Sequence, residues 1–301
     1  MTVAARLAAF AAVLVLVLLA GLGLGRAVGP VGGEQAAGGH DAHAPDGAAS
    51  AHDAGHGAGH GETHAAGDAG EPTGITGLAV SEDGYTLRPE SSTLAVGEQV
   101  FRFVVDGPDG SPVTELDVTH DRELHLIVVR RDGTGFQHLH PEQAADGTWT
   151  TPLALDRAGA YRAYADFAPA GEPARTLAVD LVVPGELTAE PWPAPSEVVE
   201  VDGLEVRFDG HLIAGEAAEL GFTVTRGGQA VELERYLGAA GHLVALREGD
   251  LGYLHVHADG DALAFDAAAP SAGRYRLYLQ FQVDGTVRTA ELVVEAEQAH
   301  A

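Results

Sequence analysis

Residues 125–140 read HLIVVRRDGTGFQHLH and residues 242–257 read HLVALREGDLGYLHVH, and these two stretches decide the fold. Both have the spacing H-x12-H-x-H, with an apolar run, a turn that contains Gly and Asp, and a second short run. Apolar runs on either side of such a turn are typical of a β-hairpin. The sequence therefore predicts the same hairpin twice, within an internal repeat of roughly 115 residues.

The repeat extends to both sides of the hairpins. Upstream, Gly97-Glu98 matches Gly215-Glu216, and downstream AGAYRAY at 158–164 matches AGRYRLY at 272–278. Short β-branched and aromatic runs with turn residues between them, in copies of about 100 residues, are typical of immunoglobulin-like sandwiches.

We therefore predict an all-β fold. Two tandem Ig-like antiparallel β-sandwiches are expected at 78–184 and 202–297, with a stiff Pro-rich linker at 185–201 between them. Tyr161 and Tyr275 each follow a Gly-x pair and are expected to form tyrosine corners.

The N-terminus carries a different signal. Arg6 is followed by an uncharged, mostly apolar run, Leu7 to Gly25, which as a helix would be about 28 Å long, close to the thickness of a membrane. Residues 1–26 are expected to be either an uncleaved membrane anchor or a cleaved signal helix, and both place the remainder outside the cytoplasm. Residues 27–77 are rich in Gly, Ala, Asp, Glu and His, so we expect a disordered His-rich linker there.

Composition limits the chemistry. The chain has 44 acidic and 17 basic residues and a formal net charge of −27, which repels phosphate backbones and excludes nucleic acid as a partner. It has no cysteine, so disulfides, thiolate zinc sites, iron–sulfur clusters and the usual blue-copper sites are excluded. The one methionine is the first residue, which argues against a thioether site for Cu(I).

Three histidines recur in each copy: His125, His138 and His140 in the first, and His242, His255 and His257 in the second. A turn at Asp132-Gly133 would place His125 opposite His140, and a turn at Gly249-Asp250 would place His242 opposite His257. Because side chains alternate across a strand, the three imidazoles of a copy would then share one face of the sheet. Three neighbouring imidazoles can bind one ion, so we predict a three-His metal site in each copy.

A structural role is the alternative for these histidines, since strand imidazoles also bond to backbone carbonyls at a sheet edge. His120 and His211 have no counterpart in the other copy and are expected to be incidental, with His120 as the alternative source of a fourth ligand.

Six further histidines precede the sandwiches: His40, His43, His52, His56, His60 and His64. They are mixed with carboxylates in a chain expected to be flexible, a combination that suits borderline divalent ions. We expect a weaker, collecting role for this tail. A compositionally biased spacer is the alternative.

The strand Leu124–Val129, together with FQHLHP at 136–141, resembles exported bacterial heavy-metal-binding or YtkA-like β-sandwich proteins. More distantly, the chain is similar to CopC-like copper carriers. The resemblance covers roughly 85–185 and, more weakly, 204–297. It implies an Ig-like fold and exported metal handling, of copper above all, at the two sets of three histidines. The absence of cysteine and of a Met-rich segment departs from the pattern and counts against Cu(I) trafficking. Ala258 in place of Pro141 counts against the second site.

We accordingly expect a non-enzymatic, extracytoplasmic protein that sequesters or relays Cu(II) or Zn(II), held at the membrane if its N-terminal helix is not cleaved. One alternative is a tandem Ig-like adhesion or scaffold protein with structural histidines. The other is a three-His metalloenzyme, which would need an acid or base near the ion; the carboxylate Asp166 is matched by Gln280 in the second copy. The sequence does not indicate a protein partner.

Overall fold

The computed structural model describes residues 75–254, 256–258 and 262–299. The regular secondary structure of these residues consists of β-strands, which confirms the predicted all-β fold. None of the described residues belongs to a helix that could cross a membrane. The predicted N-terminal helix and the six histidines of the tail lie outside the described residues.

A short strand, β1 (Ile75–Thr76), precedes the first sandwich. The strands of the first sandwich are β2 (Ser81–Glu82), β3 (Tyr85–Pro89), β4 (Gly97–Asp106), β5 (Leu116–Asp117), β6 (Leu124–Arg130), β7 (Gln137–Leu139), β8 (Glu142–Gln143), β9 (Trp149–Leu155), β10 (Gly159–Pro169) and β11 (Arg175–Val183). One sheet has the order β2-β3-β4-β9-β8. The other has the order β11-β10-β6-β7, with β5 paired to β10. The core between these sheets is built around Phe101, Phe103 and Trp149.

The second sandwich repeats this plan. Its strands are β12 (Val198–Val201), β13 (Leu204–Asp209), β14 (Leu212–Ile213), β15 (Ala217–Arg226), β16 (Gln229–Ala230), β17 (Gly241–Arg247), β18 (Tyr253–Leu254), β19 (Val256–Ala258), β20 (Ala264–Ala268), β21 (Gly273–Val283) and β22 (Thr286–Glu297). One sheet has the order β12-β13-β15-β20-β19, with β16 paired to β15. The other has the order β1-β18-β17-β21-β22-β14.

Both predicted tyrosine corners are present. The Tyr161 hydroxyl donates to the carbonyl oxygen of Arg157 at 2.8 Å, and the Tyr275 hydroxyl donates to that of Ser271 at 2.9 Å. Each bond reaches four residues back and fixes the entry of a long strand, β10 or β21. Packing and these bonds close the cores without the cysteine that antibody domains use.

The two sandwiches pack face to face. Ile127 on β6 and Val244 on β17 belong to one buried cluster between the sandwiches, whereas their neighbours Leu126 and Leu243 enter the two separate cores. Strands β6 and β17 are therefore buried on both faces, which is why their apolar runs are uninterrupted.

Equivalent residues of the repeat make equivalent bonds across this interface. The Tyr164 hydroxyl donates to the carbonyl oxygen of Leu251 at 2.5 Å, and the Tyr278 hydroxyl donates to that of Gly133 at 2.6 Å. The two copies are thus related by a pseudo-two-fold arrangement, like the subunits of a dimer with a self-complementary interface.

Two segments counted with the linkers belong to the folded part. Ile75 and Thr76 pair with Leu254 and Tyr253 of the second sandwich, and Val198–Val201 forms an edge strand of its own sheet. The Pro-rich linker between the two sandwiches is bound to the first one, since the Glu190 amide donates to Asp132 Oδ2 at 3.0 Å. Segments rich in β-branched residues can extend a sheet by pairing with its unpaired edge strand. Domain boundaries predicted from composition do not detect such pairing.

Candidate metal centre

The first hairpin folds in the predicted register. Leu126 pairs with Leu139 and Ile127 pairs with His138, as the predicted turn at Asp132-Gly133 requires. The turn is one residue longer than expected, since the Arg130 carbonyl accepts from the Gly133 amide. A bulge before Gln137 takes up the extra residue and restores the register.

The three-His set lies on the face of the first sandwich that is turned toward the second. His125 shares this face of β6 with Ile127, which is part of the interface cluster. His138 is directly opposite Ile127 and so points to the same side. The second sandwich therefore covers the set.

The three rings converge. Their centroids are 5.1 Å apart for His125 and His138, 5.2 Å for His125 and His140, and 4.8 Å for His138 and His140. One ligand nitrogen from each ring lies within 4.8 Å of the other two. Among the residues that the structure describes, this is the one group of histidines and carboxylates with metal-binding spacing.

Hydrogen bonds fix the protons on two of these rings. His125 Nε2 lies 2.9 Å from the carbonyl oxygen of Thr119, and His138 Nδ1 lies 2.7 Å from Gln280 Oε1. Because oxygens of this kind only accept, both of these ring nitrogens carry the proton. The remaining nitrogens, His125 Nδ1 and His138 Nε2, then present lone pairs to each other at 2.9 Å.

The third ring has a nitrogen that no other described group engages. His140 Nε2 is buried and has no hydrogen-bond partner among the described residues. A buried polar atom without a partner is costly, and a cation bound by the three rings would supply one.

Burial keeps two of the three imidazoles neutral. It lowers the pKa of His138 well below the usual 6.5, and the neighbouring His125 adds charge repulsion. Burial also lowers the pKa of His140 to about 4, with further repulsion from His125 and Arg122. Neutral imidazole is the form that binds a metal ion, so His138 and His140 are in their binding form at pH 7.

A tight turn supplies the carbonyl that holds His125. Thr119 and Arg122 bond to each other through both backbone groups, and the central residues His120 and Asp121 have φ of 50° and 62°. Two central residues with positive φ are typical of a type I′ turn. The second copy has the same device: the Tyr236 carbonyl, at the start of an equivalent turn, lies 3.1 Å from His242 Nε2.

The second hairpin follows its predicted register only in part. Ala245 pairs with Leu254 and Leu246 with Tyr253, as expected for a turn at Gly249-Asp250. After Leu254 the chain crosses to the other sheet, where His257 pairs with Asp266. The expected pairing of His257 with His242 is therefore wrong, because one strand divides between two sheets. His255 and the side chain of His257 lie outside the described residues.

His242 instead lies beside the first set. Its ring centroid is 6.3 Å from that of His125, 6.0 Å from that of His138 and 5.1 Å from that of His120. Burial, followed by repulsion from His120 and His125, lowers the pKa of His242 to about 4. His211, by contrast, is exposed and pairs with Glu297 at 3.7 Å.

A cavity of about 310 Å³ lies between the sandwiches next to the set. Its walls include His120, Glu123 and Asp166 from the first sandwich and His242 and Tyr253 from the second. Small molecules and ions can thus approach the histidines between the two halves of the chain.

Two contributors to the site were not predicted from the sequence: the carbonyl of Thr119 and the amide of Gln280. Backbone carbonyls carry no sequence signal. Gln280 did carry one, since it aligns with Asp166 in the repeat, but its contact with His138 crosses between sandwiches and is not apparent from a single copy.

Comparison with solved structures finds distant similarity to several proteins. A DUF4426 family protein of Pseudomonas aeruginosa is 9% identical, with 35% of this chain and 100% of that chain covered and a TM-score of 0.27. The Ig1-2 module of the Drosophila receptor protein tyrosine phosphatase DLAR is 7% identical, with 72% and 99% covered and a TM-score of 0.21. A putative membrane anchored protein from Corynebacterium diphtheriae is 10% identical, with 71% and 57% covered and a TM-score of 0.23. Among curated proteins, none matches the sequence.

One family profile matches most of the sandwich region. It is described as a domain of unknown function, DUF8832, and it matches twice, at residues 79–185 and 199–298. The double match agrees with the internal repeat, and the description carries no statement about metal. The chain therefore belongs to the DUF8832 family and contains two copies of its domain.

Proposed function

We propose that this chain is a non-enzymatic binding protein for a divalent transition-metal ion, Cu(II) or Zn(II), held by His125, His138 and His140. One observation carries the proposal: the inner nitrogens of His125 and His138 face each other at 2.9 Å while their outer nitrogens donate to oxygens. In metal sites a ligating imidazole characteristically donates its other N–H to a carbonyl or carboxylate, which is the pattern found here.

The donor set fits such an ion. Imidazole nitrogen suits Cu(II) and Zn(II), and His140 Nε2, which is buried and without a partner in the described part of the chain, would gain one. The positive charge of a bound ion would offset the repulsion between the converging lone pairs. Burial of His138 and His140 holds these two rings neutral, which is the form that binds a metal ion.

Export and the His-rich tail belong to the same proposal. The apolar run Leu7–Gly25 would carry the chain out of the cytoplasm or anchor it in the membrane. The tail histidines, His40 to His64, would collect ions loosely and raise their concentration near the tighter three-His set.

Calorimetric titration of the purified chain with Cu(II) and Zn(II) at pH 7.5 tests this function. A variant that lacks residues 27–64 removes the binding of the tail and is expected to retain one tight site. In that background, the pair of substitutions His138→Ala and His140→Ala is expected to abolish tight binding.

The matched control is His211→Ala, since His211 is exposed and contacts only Glu297 among the groups described for it. It should leave the affinity unchanged. Tight binding that survives the paired substitution would overturn the proposal. If no divalent ion raises the melting temperature, the scaffold alternative with packing histidines gains support, because a ligand of the folded state must stabilise it.

A further inference from the structure

Gln280 reaches the three-His set from the other sandwich. Its Oε1 lies 2.7 Å from His138 Nδ1, and its Nε2 donates to Thr289 Oγ1 at 3.3 Å. Gln280 is 8% exposed, and on β21 its backbone pairs with His242 on one side and Thr289 on the other. The amide is thus held at both ends and has little freedom to turn away.

An acceptor at Nδ1 decides which nitrogen of His138 is free. With the proton held at Nδ1, the lone pair is at Nε2, which faces His125 and the centre of the set. For His125 the acceptor is the backbone carbonyl of Thr119, which no side-chain substitution removes. For His138 the acceptor is a side chain, and it comes from the second half of the chain.

The position equivalent to Gln280 in the first sandwich holds its side chain in a similar way. Asp166 occupies the position equivalent to Gln280, lines the cavity between the sandwiches and accepts from Thr176 Oγ1 at 3.0 Å. Thr176 in turn is the backbone partner of Asp166, as Thr289 is of Gln280. Each copy therefore ties this side chain to its neighbouring strand on the face that the other copy covers.

We propose that Gln280 is a positioning residue for metal binding, through which the second sandwich sets the tautomer and orientation of His138 in the first. This inference rests on the proposed function and deepens it. The site is then shared between the two sandwiches, although its three ligands all lie in one of them.

The experiment compares two replacements of Gln280 in the variant that lacks residues 27–64. Gln280→Glu keeps an acceptor at the same place, whereas Gln280→Leu keeps a similar volume without one. The Leu variant is expected to bind Zn(II) about 10- to 100-fold more weakly, the usual effect of removing such an outer contact, and the Glu variant at least as tightly as the parent protein. Gln282→Leu is the matched control, since Gln282 lies two residues along β21 and donates to Glu234 at 2.7 Å, away from the set.

Nitrogen NMR of histidine-labelled, metal-free protein provides a second readout that packing alone would not change. His138 is expected to carry its proton on Nδ1 in the parent protein and in the Glu variant, and to populate both tautomers in the Leu variant. A His138 protonated on Nε2 in the parent protein would overturn the inference, because the amide NH₂ of Gln280 would then face Nδ1. Parent-like Zn(II) affinity in a folded Leu variant would overturn it as well.

The tautomer is read without metal, so the two proposals fail separately. A parent protein that binds no ion refutes the proposed function, and the NMR result still decides whether Gln280 orients His138. If the Leu variant does not fold, the parent and Glu proteins supply the tautomer test.

Discussion

The ring of Phe136 lies flat on the ring of Tyr278, with centroids 4.2 Å apart and planes inclined by 9°. Phe136 belongs to the first sandwich and Tyr278 to the second. The equivalent pair of the repeat, Tyr253 and Tyr164, also meets across the interface, at 5.6 Å. Three of these four rings are buried and Phe136 is half-buried, and the aromatic contacts hold the two sandwiches in one orientation.

We therefore expect the two sandwiches to unfold together. The interface cluster buries Val129, Leu246, Tyr164, Tyr253 and Tyr278, with Phe136 partly buried against it, so separation of the sandwiches would expose a continuous apolar surface. Calorimetry of the metal-free chain should give one transition with equal calorimetric and van't Hoff enthalpies. Two resolved transitions would contradict this expectation.

Removal of one interface hydroxyl should weaken the whole fold. Tyr278→Phe deletes the donor to the Gly133 carbonyl and leaves that oxygen buried without its partner, at a cost of about 1–2 kcal/mol in free energy of unfolding. Urea unfolding measures the change. Tyr85→Phe is the control, since the Tyr85 hydroxyl donates to Glu172, a carboxylate that water can reach, and its loss should cost less.

Without metal, stability should fall as the solution is acidified below about pH 6.5, the ordinary pKa of histidine. Burial lowers the pKa of His140 and of His242 to about 4, so between these values the unfolded chain binds protons that the folded chain does not. Stability from these groups is complete above pH 6.5 or so and is lost as the pH falls through about 4. Urea unfolding with a chelator at several pH values measures the slope. His140→Gln should flatten it, and a slope near zero in the parent protein would count against burial of neutral rings.

Two Asp-Gly-Thr turns allow a matched comparison of a buried and an exposed carboxylate. Asp132 accepts from Thr134 and from the linker amide of Glu190, and it forms a buried ion pair with Arg130. Asp132→Ala should cost about 3 kcal/mol, because it leaves the buried charge of Arg130 with backbone carbonyls but no carboxylate. In the second turn the exposed Asp146 carboxylate accepts from the Thr148 amide. Asp146→Ala should therefore lower the free energy of unfolding much less. Equal losses in urea unfolding would contradict the expected cost of leaving Arg130 without its carboxylate.

The sequence was sufficient for the hairpin register and the convergence of the first three histidines. Alternation on β6 and the Gly-containing turn leave one register in which Leu126 and Val128 enter the core, so His125 must share a face with His138. The predicted tyrosine corners follow from an equally local pattern around Tyr161 and Tyr275.

The second set could not be predicted in the same way. The crossing of the strand after Leu254 to a different sheet depends on contacts with Ala267 and Asp266, which are distant features of the fold. Likewise, the uninterrupted apolar run of β6 indicates burial on both faces but does not say what covers the outer one. That it is the other copy of the repeat, bringing His242 and Gln280 to the first set, emerges only in three dimensions.

The pairing of two repeats within one polypeptide has a consequence for how the halves meet. Separate subunits with a similar self-complementary surface would dissociate on dilution, whereas halves joined by a peptide linker remain at a high effective concentration. The contact between His138 and Gln280 is therefore present at every protein concentration, even in a single molecule.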